Sequence, residues 1–441
     1  MKNFFLINYG CQMNVLEAEK MKGLLIAEGY EEAPDEFNSD VVIMNTCAVR
    51  ETAERKIFGK IGQIRKHGRP GLLIAVCGCV TQVSGESIFE KYPGIDIVLG
   101  SGNKMNIAAY LSKAGSSARI LDLGNGPERD SAECAQLAKR GSEYSAFIEI
   151  MKGCDNFCAY CIVPYARGGE VSLPPVLVLD EIKMLIDRGY KEFTLLGQNV
   201  NSYGKKFADG SERRFRFHDL LGEIEKIKGI FRLRFITSHP RDLSSETIDV
   251  MASSGIIAHS LHLPAQSGSD RILKAMNRGY TISEYLEKVE RLKKDIPGFA
   301  FTTDIIFGFP GETESDYRDT LNLMERVRFK NAFLFRYSER RKTAASGISE
   351  GLVDNEEKLS RLQNAIEIQK KISLEESIGY VGATKNVLFS SLDRKGRNIS
   401  GRDTHDMIVI VENNMDKLGT VRDVLIERAN SFTLYGRLKS A

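Results

Sequence analysis

Three cysteines within eight residues, Cys154, Cys158 and Cys161, follow an alternating apolar run (Phe147, Ile148, Glu149, Ile150) and precede a turn at Pro164. Such a run predicts a strand, so the thiols share the loop at its C-terminal end. The Cys-x3-Cys-x2-Cys spacing lets three sulfurs reach three corners of an iron–sulfur cubane, and no fourth cysteine follows at short range. One iron would then keep an open position suited to a substrate or cofactor. Zinc is the rival reading, but a structural zinc site takes four ligands, and the nearest downstream histidine, His218, lies far along the chain.

Upstream, residues 3 to about 113 repeat a strand-then-helix rhythm. Phe4–Asn8, Val41–Met44, Leu72–Val76 and Ile95–Leu99 alternate with amphipathic stretches such as Val15–Ala27. Near-continuous apolar strands separated by helices predict a parallel sheet covered on both faces, a flavodoxin-like α/β domain. Cys11, Cys47 and Cys79 fall at the C-terminal ends of its first three strands, where open parallel sheets bind ligands. A second three-thiolate site is expected there, whereas Cys77 and Cys134 read as small apolar core residues. The Gly/Ser-rich stretch from Gly115 to Gly141 reads as a connection with little core of its own.

From Tyr144 to about Ser338 the alternation resumes with six strand candidates, too few for a closed eight-stranded barrel. A partial (β/α)6 barrel with an open side is expected. Polar and glycine residues collect at its strand ends, in Gly197-Gln198-Asn199, Thr237-Ser238-His239, Gln266-Ser267 and Gly308-Phe309-Pro310, and should form a cup facing the triplet. His262 reads as a satisfied core histidine. A basic run, Arg326 to Lys342, ends the last strand and could hold phosphates. Asn355–Glu376 reads as a charged helix, and the short alternating strands from about Gly379 predict a small all-β barrel whose aromatic and cationic content suits RNA. The expected organisation is residues 1–117, a linker at 118–139, the partial barrel at 140–374 and the β-barrel at 375–441.

A formal charge of +2 with 27% charged residues shows no global excess that would itself attract nucleic acid. Eight cysteines in 441 residues are too sparse for a disulfide scaffold, no apolar run reaches membrane-spanning length, and the N-terminus does not resemble a signal peptide. A cytoplasmic protein with reduced thiols and no membrane contact is expected.

With Tyr160 before its last cysteine, the triplet resembles the radical S-adenosylmethionine (SAM) signature. Taken with Tyr9-Gly-Cys-Gln-Met-Asn14, Asn45-Thr-Cys47, Val163-Pro-Tyr-Ala-Arg167, Leu196-Gly-Gln-Asn-Val-Asn201 and Thr237-Ser-His-Pro240, it makes essentially the whole chain resemble the methylthiotransferases, nearest to those that modify tRNA. The tail resembles a TRAM domain. The resemblance implies two [4Fe–4S] clusters, one on Cys154, Cys158 and Cys161 and one on Cys11, Cys47 and Cys79. It implies SAM held by Tyr160, Gly197, Gln198, Ser238, Gln266 and Gly308, a low-potential electron donor, and the anticodon stem-loop of tRNA as partner. The implied reaction converts N6-isopentenyladenosine at tRNA position 37 to its 2-methylthio derivative. Alternative readings are methylthiolation of a ribosomal-protein side chain or of threonylcarbamoyl-adenosine in tRNA, or a non-catalytic cluster-bearing RNA-binding protein. One departure is Tyr337-Ser-Glu-Arg-Arg-Lys-Thr343, where family members tend to carry a Pro-Arg-Pro-Gly-Thr-like loop.

Overall fold

The structure is a computed structural model that describes residues 2–48, 51–114, 119–124, 131–211 and 214–439. Chain contacts divide it into two compact units. The first comprises Met1–Gly141, Phe147–Asp155 and Cys161–Glu181; the second comprises Ser142–Ala146, Asn156–Tyr160 and Ile182–Ala441.

The first unit begins β1 (Asn3–Asn8), α1 (Gln12–Ala27), β2 (Glu31–Glu32), β3 (Val41–Thr46), α2 (Glu51–His67) and β4 (Leu73–Gly78). It continues through α3 (Cys79–Ser84), α4 (Ser87–Lys91), β5 (Ile97–Leu99), α5 (Ile107–Lys113), β6 (Ile120–Asp122) and α6 (Ser131–Leu137). The strands form one parallel sheet in the order β2-β1-β3-β4-β5-β6. Val41 to Met44 and Ile74 to Val76 are buried throughout, because helices cover both faces. One face packs Val42, Met44, Ile74 and Val76 against Ile57, Ile61 and Ile64 of α2. The other packs Val41, Ile43 and Ala75 against Met21 and Leu25 of α1 and Ile107 and Leu111 of α5.

The stretch Gly115–Gly141 is more than a connection. Residues 115–118 and 125–130 lie outside the described residues, but β6 extends the sheet and α6 buries Cys134 and Ala135. Strand pairing is satisfied by backbone groups, so a three-residue edge strand leaves little apolar pattern to read. After β7 (Ser145–Glu149), the short strands β8 (Met151–Lys152) and β9 (Val171–Ser172) pair antiparallel, with α7 (Val163–Arg167) between them and α8 (Pro175–Asp187) beyond. The single strand expected from the run beginning at Phe147 is therefore two.

In the second unit, strands β10 (Glu192–Leu196), β11 (Arg232–Ile236), β12 (Ser260–His262), β13 (Ala300–Phe307) and β14 (Asn331–Arg336) alternate with helices α9 (Phe217–Glu225), α10 (Ser245–Ser253), α11 (Asp270–Ala275), α12 (Ile282–Asp295) and α13 (Glu314–Val327). The sheet β11-β10-β7, entered at Ser145, and the sheet β12-β13-β14 are joined by a Leu233–Ile257 bridge. This is the expected partial barrel: β10 to β14 run parallel, with β7 at the edge of the first sheet. Helix α14 (Asn355–Ile378) lies against β14 and leads into β15 (Thr384–Leu392), β16 (Ile399–Arg402), β17 (Ile408–Val411), β18 (Val421–Ala429) and β19 (Thr433–Leu438). These close into a barrel, β15-β16-β17-β19-β18, around Val387, Phe389, Val409, Val424, Ile426 and Leu434.

The β-barrel docks on the end of the partial barrel where its strands begin. Arg232 donates to the carbonyls of Arg402 (2.6 Å) and Asn386 (3.2 Å), and Lys330 donates to the carbonyl of His405 (2.7 Å). Arg234 pairs with Glu192 and with Asp406 (3.1 Å) and donates to the Asp403 carbonyl (3.0 Å). These contacts bury guanidinium groups that are paid for only by such partners.

Candidate iron–sulfur and SAM site

In the first unit, Cys11 precedes α1, Cys47 follows β3 and Cys79 opens α3 directly after β4. The Cys11 thiol bonds Asn14 Oδ1 (3.3 Å) and Cys47. The Cys47 hydrogen bond, aided by the Arg167 charge and working against burial, holds the Cys11 thiol down to about 6. That favours the thiolate, the form that ligates metal. Cys77, by contrast, is pushed up to about 12 by burial and remains a core thiol, as expected for it.

Cys79 packs with Ala48, Val80, Ile162 and Ala166. Ile162 is the residue after Cys161, so within this unit the sheet-end trio lies beside the exit of the triplet loop. The loop's entrance is fixed by Gly153, whose φ is +74° and whose added Cβ would stand 1.9 Å from the Gly169 carbonyl oxygen. The Cys154 amide donates to the Gly168 carbonyl (3.2 Å).

Arg167, at the end of α7, faces Cys11 and Cys79 as a buried cation. Its guanidinium is held by both oxygens of Glu17 (2.7 and 3.3 Å), and Glu17 also pairs with Lys104 (2.5 Å). Burial alone would push the Glu17 carboxyl up, but the Arg167 and Lys104 charges outweigh it and hold it down to about 2. The motif containing Arg167 was visible in sequence; its partner on α1, 150 positions away, was not.

In the second unit, Cys158 is buried beside His239 (Sγ to Nε2, 4.0 Å) and receives a hydrogen bond from Arg278 Nη1 (3.3 Å). Burial and the Arg278 charge hold His239 down to about 2, so its ring is neutral. Gly197 follows β10, Ser238 follows β11, Gln266 lies beyond β12 and Gly308 follows β13, so four of the six residues expected to hold SAM line one rim. Ser238 Oγ donates to Asn201 Oδ1 (3.4 Å). Gln266, at φ +71°, is tied to β13 through the Asp304 carbonyl (2.8 Å) and the Ile306 amide (2.9 Å). Tyr160 packs against Ala159, Met276, Phe309 and Tyr337. The backbone of Gly308 serves the fold: its amide donates to Glu312 (2.8 Å), and an added Cβ would meet Lys358 Cγ at 2.3 Å.

Asn199 and Asn201 belong to the rim motif, and their sequence alone assigns them no role. Asn199 donates to Asp242 (2.7 Å), yet its Oδ1 and the Nδ2 of Asn201 are buried without a hydrogen-bond partner. Buried polar atoms are rarely left so, and this pair can receive a polar ligand. His262 is satisfied by Thr302 (2.9 Å) and Asp304 (3.4 Å), as expected. The basic run divides. Arg326 pairs with Glu290, Arg328 with Glu375 and Glu376, and Lys330, half-buried, is spent on the docked β-barrel, leaving Arg336, Arg341 and Lys342 exposed. In the altered loop the Tyr337 amide bonds the Phe307 carbonyl (2.7 Å), and just beyond it the Ala345 amide bonds the Ala159 carbonyl (2.8 Å).

Among the described residues, no group of three or more His, Cys, Asp or Glu side chains is gathered as ligands of one metal ion. A cubane asks for something different, since each of its three thiolates holds a separate iron.

Family models match the Radical SAM superfamily at residues 148–324, the uncharacterized protein family UPF0004 at 3–100 and the TRAM domain at 379–439. Proteins named tRNA-2-methylthio-N(6)-dimethylallyladenosine synthase match along the whole chain. The one from Finegoldia magna is 40% identical over 99% of this chain and 94% of its own length. That from Carboxydothermus hydrogenoformans is 42% identical over 99% of each. The chain belongs to the tRNA-2-methylthio-N(6)-dimethylallyladenosine synthase family. Among solved structures, the radical SAM methyltransferase TsrM from Kitasatospora setae superposes with a TM-score of 0.55 at 14% identity, covering 78% of this chain and 74% of TsrM. The cobalamin-dependent enzyme OxsB gives 0.51 at 14% identity, over 84% of this chain and 56% of its own. At that identity the likeness concerns fold alone. Cys11, Cys47 and Cys79 at the end of the first sheet lie within the region matched at 3–100, and the closed five-stranded barrel within that matched at 379–439.

Proposed function

We propose that this chain is a radical SAM tRNA methylthiotransferase that converts N6-isopentenyladenosine at position 37 to its 2-methylthio derivative. Full-length identity of about 40% to synthases of that name carries the reading. Cys154, Cys158 and Cys161 would hold one [4Fe–4S] cluster, and Cys11, Cys47 and Cys79 the other. The donor set fits: three thiols per site, an acidified Cys11, a buried cation beside Cys11 and Cys79 and another on Cys158. When bound, the cofactors supply an organic radical for hydrogen abstraction together with the sulfur and methyl group to be inserted.

The chain's own residues bind and orient. Tyr160, Gly197, Gln198, Ser238 and Gln266 would hold SAM at the rim, where Asn199 and Asn201 keep unsatisfied amide atoms; Gly308 would shape the turn behind it. Arg167, locked by Glu17, would offset the negative charge of the sheet-end trio. The C2–H of adenine carries no acidic proton, so no side chain is needed as general base there. The tail would meet the anticodon stem-loop through exposed Phe432 and through Tyr435 with Arg428 stacked 3.7 Å from its ring, and the end of β14 with its following loop through the exposed Arg336, Arg341 and Lys342. The modules proposed are 1–117, 140–374 and 375–441. No helix among the described residues is long and apolar enough to cross a membrane; we place the enzyme in the cytoplasm, where its tRNA and a low-potential electron donor would meet it.

Two measurements test this. Anaerobically reconstituted protein should lose about half of its iron when Cys154, Cys158 and Cys161 are all replaced by alanine. Nucleoside mass spectrometry of tRNA from a deletion strain should recover 2-methylthio-N6-isopentenyladenosine only with the intact gene. Recovery of a thiomethylated ribosomal protein instead would overturn the substrate assignment.

A further inference from the structure

The residues after α11 grip the triplet loop at three successive positions. The Asn277 side chain donates to the Phe157 carbonyl (3.1 Å), Arg278 Nη1 to Cys158 Sγ (3.3 Å), and the Met276 carbonyl accepts from the Ala159 amide (2.9 Å). Both strands of this clasp are in unusual backbone, with φ of 41° at Phe157 and 56° at Asn277. Arg278 is only 4% exposed. Its Nη2 donates to the Pro264 carbonyl (2.8 Å) and its Nε to Tyr280 Oη (3.3 Å), whose hydroxyl in turn donates to the Ala265 carbonyl (2.7 Å). The guanidinium also lies over the Tyr280 ring. A cation tethered through all three of its nitrogens, one of them on the sulfur, cannot swing away when the thiol ionises.

We infer that Arg278 is a positioning residue for the radical-generating cluster: it sets the direction of the Cys158 thiolate and, as a fixed positive charge against that sulfur, raises the cluster's reduction potential. The inference rests on the triplet's being a cluster site. The physics is direct. Reduction adds negative charge, and a buried cation hydrogen-bonded to a ligating sulfur stabilises the reduced form more than the oxidised one. Asn277 and the Met276 carbonyl hold backbone and place no charge on the sulfur, so clasp and charge are separable.

The test uses full-length protein carrying Cys11→Ala, Cys47→Ala and Cys79→Ala, so that only the triplet takes iron. Arg278→Gln, Arg278→Lys and Asn277→Ala are added singly; iron per chain, the midpoint potential by EPR-monitored titration and the melting temperature of the metal-free protein are read. Arg278→Gln should move the midpoint to more negative values, Arg278→Lys should restore most of that shift, and Asn277→Ala should lower iron retention with the midpoint unchanged. If Arg278→Gln cannot be loaded, recovery of both iron and midpoint in Arg278→Lys sustains the inference, and failure of Lys to recover them overturns it. A midpoint in Arg278→Gln equal to that of the parent also overturns it. A parent that binds no iron instead overturns the cluster reading of the triplet.

Discussion

Glu17 is an acid in the helix that follows Cys11, and periodicity alone would have turned it toward solvent or filled its place with a leucine. It is buried because two cations meet it, Lys104 and Arg167. An ion group of this kind adds little net stability when whole, since desolvation offsets most of the attraction. Breaking it is another matter: Glu17→Gln leaves two buried cations short of a counter-charge and should cost about 3–5 kcal/mol in chemical denaturation. The pH dependence has a definite sign. Held down to about 2 in the fold against an ordinary 4.5, Glu17 binds fewer protons folded than unfolded. Its contribution is therefore full above about pH 4.5 and lost as pH falls toward 2. Acid unfolding followed by circular dichroism should lose that component in Glu17→Gln; identical acid limbs would contradict it. The cysteines were legible in sequence because their spacing carries chemistry by itself. Glu17, Lys104 and Arg278 were not, because each acts through a partner supplied by a distant segment.

At the scale of elements, the strand–helix rhythm was readable wherever helices cover a sheet, since burial on both faces leaves unbroken apolar runs such as Val41–Met44. What escaped were the elements made mainly by backbone: β6, β8 and β9, and β16 with its Ile-Ser-Gly-Arg sequence. The β8–β9 pair matters because Gly153 ends it and starts the triplet loop. Gly153→Ala adds a Cβ against main chain at positive φ, where nothing flexible can yield. It should strain the loop by at least about 1–3 kcal/mol and release iron from the triplet site, seen as roughly half the total iron lost. Gly308→Ala also meets a neighbour, but that neighbour is the side chain of Lys358, which can rotate. Because Gly308 is also at positive φ (73°), the change should still cost about 1–2 kcal/mol, but it should keep its iron. Equal losses in the two variants would show that the β8–β9 pairing does not hold the loop.

For the second unit as a whole, the decisive feature is the buried charge at the floor of the partial barrel. Asp403 is fully buried; burial alone would raise its carboxyl, but the His405 hydrogen bond and nearby cations hold it down to about 2. Arg234, Glu192 and Asp406 complete the connection. Arg234→Ala should cost about 3–5 kcal/mol and split one calorimetric transition into two, the β-barrel melting apart from the α/β portion. A single unsplit transition would mean that apolar contacts along α14 suffice. Sequence could suggest two folding modules here, but not which end of one receives the other, because Arg232 and Arg234 within β11 and Lys330 before β14 look like ordinary outward-facing cations until the Arg402–Asp406 turn is seen against them.

That floor also governs how such proteins could recombine. A tail borrowed from another family member and spliced in at the start of the β-barrel would still offer Arg232, Arg234 and Lys330 the main-chain carbonyls of its own 402–405 turn, but would return a carboxylate to Arg234 only if it carried an acid at position 406. Exchange therefore turns on that one side chain, and the inheritable module is the β-barrel with its acid at 406.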